Sequence, residues 1–256
     1  MKKYVALLLT ALLLVGLCAC AKQTSTAKTF TVGFDQDFPP YGYVENGEFK
    51  GFDLDLARET ASRNGWEIKL QPIDWDIKDT ELESGSIDCI WNGFTMNGRE
   101  NDYTWTKPYI DNSQVIVVRK DSGITDFAGL AGKIVAVQTD SSAQAALESE
   151  DCAALAATFG KTLTFAEYNT AFMELEAGSV DAIAMDVGVA KFQIEGREDK
   201  FMILDATLVA EQYGIGFKLG NTALRDQVQK TYDAMLADGT VAKLAEQYGL
   251  SDCVIK

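Results

Sequence analysis

Apolar positions along the chain fall into short, alternating periods. KTFTVGF (28–34), WEIKLQPI (66–73), IDCIWN (87–92), QVIVVRK (114–120) and KIVAVQ (133–138) are apolar or β-branched runs of strand length. Helical spacing fills the gaps. FDLDLARETASRNG (52–65) puts Phe52, Leu56 and Ala61 on one face and stops at Gly65, and TELESG (80–85) continues a shorter helix. Further on, SSAQAALESEDCAALAATFG (141–160) predicts one helix stopped by Gly160. LTFAEY, NTAFMELEAG and VDAIAMD then repeat strand, helix and strand, and residues 221–249 predict two helices broken at Asp238-Gly239. This alternation predicts an α/β protein with mainly parallel sheets.

The phrase TELESGSIDCIWNG (80–93) is echoed by FMELEAGSVDAIAMD (172–186): helix, Gly-Ser turn, then a strand opening on Asp. Two similar βαβ lobes would produce such an echo. In open α/β sheets ligands bind beyond the carboxyl ends of strands. On that rule Asn92-Gly93-Phe94-Thr95 and Asp186 are strand-end residues aimed at the space between the lobes. The first strand runs into NGFTMNGR, where backbone N–H groups, a hydroxyl and the Arg99 guanidinium follow one another. A carboxylate is recognised by such donors, the planar guanidinium binding it through two parallel hydrogen bonds. The alternative is an Arg99 paired with a surface acid. Asp186 in turn offers an acceptor for an ammonium group, or else caps the helix that follows it.

Composition narrows the classes. The 256 residues suffice for one large domain or two modest lobes, and 47% hydrophobic with 24% charged residues is ordinary globular usage. A net charge of −15 argues against nucleic-acid binding. The absence of histidine excludes Ser-His-Asp and Cys-His catalysis and His-ligated metals, and neither a CxxC nor an acidic calcium loop occurs, so no metal or cofactor is expected. Met1-Lys2-Lys3 followed by an apolar run from Tyr4 to Leu17 reads as a secretory signal, since the run falls short of the roughly 20 residues that span a bilayer. Leu17-Cys18-Ala19-Cys20 resembles a lipoprotein cleavage box, with Cys20 the better fit for lipidation. An ordinary cleaved signal is the alternative. Cys89 suits a buried core position, and Cys152 and Cys253 could pair in an oxidising exterior.

GFDLDLARETASRN (51–64), FDQDFPPYGY (34–43), DCIWNGFTMNGRE (88–100) and DGTVAKLAEQYG (238–249), at their spacing, resemble the bacterial extracellular solute-binding proteins that deliver polar amino acids to ABC importers. The similarity runs over about residues 28 to 250. Thr60 departs from it, standing where the family has an aliphatic residue. MNGR is one residue shorter than the family's Thr-Pro-Glu-Arg-like run, which bears on the reach of Arg99.

The resemblance implies a two-lobed, type II periplasmic-binding-protein-like fold with a hinge and an interlobe cleft. It places a signal peptide at 1–20, a linker at 21–28, lobe 1 at 29–112, lobe 2 at 113–209 and a return to lobe 1 at 210–256. The chain would cross near Asp111–Gln114 and Ala210–Tyr213. It further implies that Asn92, Gly93, Thr95 and Arg99 bind the ligand's α-carboxylate, helped by Ser141 and Ser142, although these serines could equally be plain helix caps. Asp186 would bind the ammonium, and Phe38 and Trp75 would sandwich the side chain, with core packing the alternative for both. Asp35 would favour a basic or amide side chain. The implied function is capture of a polar L-amino acid by a monomeric lipoprotein on the outer face of the membrane, anchored through Cys20 and serving an ABC permease. The rivals are a prephenate- or arogenate-type dehydratase of the same fold, or a sensor input domain.

Overall fold

The computed structural model describes residues 28–256; the signal-like segment and Cys20 lie outside the described residues. The chain opens with β1 (Thr29–Phe34) and a small sheet of β2 (Asp37–Phe38), β3 (Gly42–Glu45) and β4 (Glu48–Lys50). Next come α1 (Phe52–Asn64), β5 (Glu67–Pro72), a 3-10 turn at Trp75–Ile77, α2 (Lys78–Ser84), β6 (Cys89–Ile90) and β7 (Tyr103–Trp105). The middle of the chain holds β8 (Ile110–Arg119), β9 (Ile134–Gln138), α3 (Ser142–Glu148), α4 (Glu150–Ala156), β10 (Lys161–Phe165), α5 (Tyr168–Ala177) and β11 (Ala182–Asp186). It ends with α6 (Val187–Ile194), β12 (Phe201–Tyr213), β13 (Gly216–Lys218), α7 (Thr222–Ala237) and α8 (Thr240–Gln247).

Two five-stranded sheets result, ordered β5-β1-β6-β13-β7 and β10-β9-β11-β8-β12. Apart from β8, the strands that the apolar pattern predicts are parallel in both: β1 with β5 and β6, β9 with β10 and β11. The other half of each sheet is antiparallel, through β13 in the first and β8 and β12 in the second, so "mainly parallel" overstates the case. The reason is visible in β12. Its residues beyond Leu204 are mostly exposed, and two register shifts, at Ile203/Thr207 and Thr207/Val209, break any alternation.

Strand β8 pairs with β12 from Ile110 opposite Tyr213 to Arg119 opposite Phe201. This ribbon ties the sheets together: β12 leads straight to Gly216, which pairs with Trp105 and Ile90 in the first sheet.

Three local expectations are corrected. The 141–160 segment is two helices, because Ser149 adopts an extended backbone (φ −71°, ψ 159°) between them and its hydroxyl bonds back to the Ala146 carbonyl at 2.7 Å. Within IDCIWN only Cys89–Ile90 forms regular strand. Cys152 and Cys253 are free thiols, as is Cys89.

Candidate functional site

The loop after β6 is shaped by Gly93, whose φ of +58° lies in the left-handed region where glycine carries no steric penalty. A Cβ there would sit 2.8 Å from Phe38 Cε1 and 3.1 Å from Tyr213 Cε2. Its N–H donates to Asp53 Oδ2 at 2.6 Å, and Tyr109 O–H donates to the same oxygen at 2.7 Å. Gly93 therefore contributes shape to the site while its N–H is engaged by the scaffold. Backbone bonds from Met96 N–H to Gln212 O (2.9 Å) and from Gly214 N–H to Phe94 O (3.0 Å) pin the loop to β12 and the segment just after it.

Arg99 lies over the Phe94 ring, 5.4 Å from its centroid, and donates only to the carbonyls of Thr95 and Asp140, both at 3.4 Å. Among the described residues no carboxylate pairs with it, so the surface-acid alternative fails. Despite the shortened motif, it reaches the site.

Asp186 ends β11 immediately before α6 but makes no capping hydrogen bond to that helix. Its Oδ1 instead accepts from Asn112 Nδ2 (2.8 Å), Gln114 Nε2 (2.8 Å) and Tyr213 O–H (2.5 Å). Ser141 does cap α3, accepting from Gln144 N–H at 3.1 Å while donating to the Gln138 carbonyl at 2.8 Å. Ser142 Oγ accepts from Gln114 Nε2 at 2.8 Å and lies 3.2 Å from Thr95 Oγ1, which joins the two sheets' strand ends.

These groups meet in one narrow pocket lined by Phe38, Trp75, Asn92, Gly93, Thr95, Arg99, Gln138, Ser141, Ser142 and Asp186. Every residue singled out from the sequence is on that wall except Asp35, which lies one residue behind it, accepting from Gln138 Nε2 at 2.6 Å. Asp35 faces instead a larger adjoining pocket that shares the Trp75 wall. The cleft is shut: Lys78 pairs with Asp140, and Asn169 Nδ2 donates to Asp37. Asn92 is 1% exposed, lines the pocket, and has no partner for either amide atom among the described residues.

Residues 30–251 match bacterial extracellular solute-binding proteins, family 3. This chain belongs to that family. Among its relatives, the arginine-binding extracellular protein ArtP of Bacillus subtilis is 28% identical, the alignment covering 97% of this chain and 98% of ArtP. A Streptococcus pneumoniae ABC uptake transporter substrate-binding protein, solved with bound histidine, superposes with a TM-score of 0.85 at 28% identity, covering 89% of this chain and 95% of that one. An ancestral arginine-binding protein bound to arginine gives a TM-score of 0.78 at 33% identity over 86% and 97% of the two chains. Such relatives are two-lobed amino-acid-binding proteins, and the two sheets joined by the β8–β12 ribbon are that architecture here.

In this solute-binding protein the sequence pattern does not single out five further residues, Gln138 on the pocket wall and Asp53, Asn112, Gln114 and Glu211 behind it. Gln138 and Gln114 were findable, each being the polar end of a predicted apolar strand. Glu211 was not, because no strand was predicted around it. Its Oε1 accepts from Thr95 Oγ1 (2.8 Å), Asn112 Nδ2 (2.6 Å) and Gln114 Nε2 (2.8 Å).

Burial dominates the titration of the acids. It pushes Asp35 up to about 6 and Asp53 up to about 7, against hydrogen bonds from the Asp37 N–H and Gln138, and from Tyr109 and the Gly93 N–H. Asp186 is pushed up to about 8, first by burial and then by the charge of Glu211. A carboxyl whose folded pKa is raised holds a proton that the unfolded chain, titrating near 4, releases. That contribution to stability is full below about pH 4 and is lost as pH rises through the folded values. The melting temperature of the unliganded protein is therefore expected to fall between about pH 5 and about pH 8. Asp53→Asn, whose amide oxygen can still accept from Gly93 and Tyr109, should flatten the part of that fall below about pH 7. A melting temperature that climbs across this range would contradict the assignment.

Proposed function

We propose that this protein is the substrate-binding component of an amino-acid ABC importer, and that its ligand is a basic L-amino acid. The observation that carries this reading is one pocket holding a guanidinium with no carboxylate partner and a buried carboxylate with no basic partner among the described residues, on elements from the two sheets. An α-amino acid supplies one carboxylate and one ammonium, and satisfies both. Arg99, Asn92, Thr95 and Ser142 take the carboxylate, Asp186 takes the ammonium, and the side chain leaves between Phe38 and Trp75.

The class of side chain follows from what lies beyond Trp75. The adjoining pocket is walled by Asp35, Asp37, Asp74, Asp76, Glu81 and Glu167, with no lysine or arginine on its wall. A cationic side chain is favoured there and an acidic one is repelled. Names of relatives agree, ArtP and the ancestral protein being arginine binders. Closure would bring lobe 2 (113–209) over lobe 1 (29–112 and 210–256) by bending within the β8–β12 ribbon, and the closed form would be the one the permease engages. Cys20 would hold the mature protein, as a monomer, on the outer face of the membrane. The site offers binding groups and calls for no turnover.

Thermal melting of a soluble form beginning after Cys20, scanned against the common amino acids, tests this. At one hundred times its dissociation constant a ligand stabilises by about 2.7 kcal/mol. Arginine or lysine should give the largest shift and glutamate none. A well-folded protein that responds to no amino acid would overturn the reading and raise the dehydratase alternative.

A further inference from the structure

Glu211 is not on the wall of that pocket, yet it stands against the proposed ammonium site. One nitrogen, Asn112 Nδ2, reaches both Asp186 Oδ1 (2.8 Å) and Glu211 Oε1 (2.6 Å), and a second, Gln114 Nε2, reaches the same two oxygens at 2.8 Å each. Two carboxylates clamped by two amides cannot be far apart. Asp186 is 2% exposed and Glu211 5%, so water screens neither. The remaining neighbours are Tyr213 and Tyr168, each fully buried, the hydroxyls of Thr95 and Ser142, and Tyr41, whose ring packs on Tyr213 with centroids 5.2 Å apart. Arg99 lines the same pocket without bonding to either acid, and among the described residues no lysine or arginine does. Two like charges so placed would be strongly unfavourable. Among the described residues the carbonyl oxygens of Asn112 and Gln114, and the amide of Asn92 on the pocket wall, are buried without partners, so no further donor from the protein offsets the two acids.

We propose that Asp186 and Glu211 share one proton in the unliganded protein, and that the ligand's ammonium group replaces it, so that capture releases a proton to solvent. The inference rests on the amino-acid-binding reading. The exchange balances: the protonated pair takes up one cationic ammonium, its acid O–H bond breaks, and the proton leaves as the ammonium's N–H groups take over the freed oxygen. Glu211 is then a positioning residue that acts through Asp186. Its like charge keeps the proton on the pair until a ligand arrives. Low pH weakens capture by this device, by up to about tenfold in dissociation constant per pH unit below the pair's titration.

Calorimetric titration with L-arginine in two buffers of different ionisation enthalpy reads the proton directly. At about pH 7.5, above the titration of Asp35, the protein should release a substantial fraction of a proton per arginine, approaching one at lower pH. Glu211→Gln should bind arginine with little release and a flattened pH profile. Binding without proton release in the unmodified protein, or equal release in the variant, would overturn the proposal. If arginine and the other amino acids produce no heat at all, the binding reading has failed. The pair is then judged alone, by infrared absorption of protonated carboxyl groups in unliganded protein. A band at neutral pH that shrinks in Glu211→Gln supports the shared proton, and identical spectra refute it.

Discussion

Asp186→Asn is expected to weaken amino-acid binding by at least about thirtyfold. Truncating one partner of a buried charged pair costs about 2–5 kcal/mol, and each 1.4 kcal/mol is about tenfold in affinity. The choice of asparagine matters. Asp186 Oδ1 accepts from Asn112, Gln114 and Tyr213, so alanine would strand three buried donors and confound lost binding with lost stability. Asparagine keeps an acceptor oxygen for them and removes the charge. Calorimetry should show the loss while the melting temperature of the unliganded protein holds near neutral pH, where the shared proton already offsets the like charge, and rises only above about pH 8, where that proton is lost. Unchanged affinity would remove Asp186 from the site.

Arg99→Ala should cost a similar factor for a different reason. The guanidinium lies half-buried over Phe94 with two long hydrogen bonds and no ion pair among the described residues. Little folding energy depends on it, and an exposed-side substitution of this kind typically moves stability by no more than about 0.5 kcal/mol. Its free donors are therefore available to a ligand carboxylate, where charge-assisted bonds contribute about 1.5–3 kcal/mol each. Arg99→Lys should recover part of the affinity, because a point charge replaces the fork without its paired geometry. Equal affinity in Arg99→Ala and the unmodified protein would mean that the carboxylate docks elsewhere.

Relief of like charge links the first of these results to the protonation of the cleft. Asp35, Asp53 and Asp186 all titrate high because each is buried, but only for Asp186 does the charge of a second acid rank next after burial. The first two are tied by neutral donors, Gln138 for Asp35 and Tyr109 for Asp53. They hold the walls in place, while the Asp186–Glu211 pair is the part of the cleft that an ammonium changes most.

What the sequence by itself determined is local. The parallel strands, α1 with its left-handed Gly65 terminus, and the α7–α8 break were legible because period and punctuation carry them. So was the strand-end rule that picked out Asn92 to Arg99 and Asp186, since a strand that ends in donors or a lone acid announces a group without a structural partner nearby in the chain. The tertiary structure decided the rest. Whether Ser141 is a cap, whether Asp186 turns into the cleft or onto α6, and whether Arg99 meets an acid depend on neighbours far away in sequence. Thr95 and Glu211, for example, are 116 residues apart. The β12 ribbon, half-exposed and bulged, has no pattern to read, and so Glu211 came to light only when that strand was seen laid against β8. Burial of two acids side by side is a property of that pairing, and no window of sequence contains it.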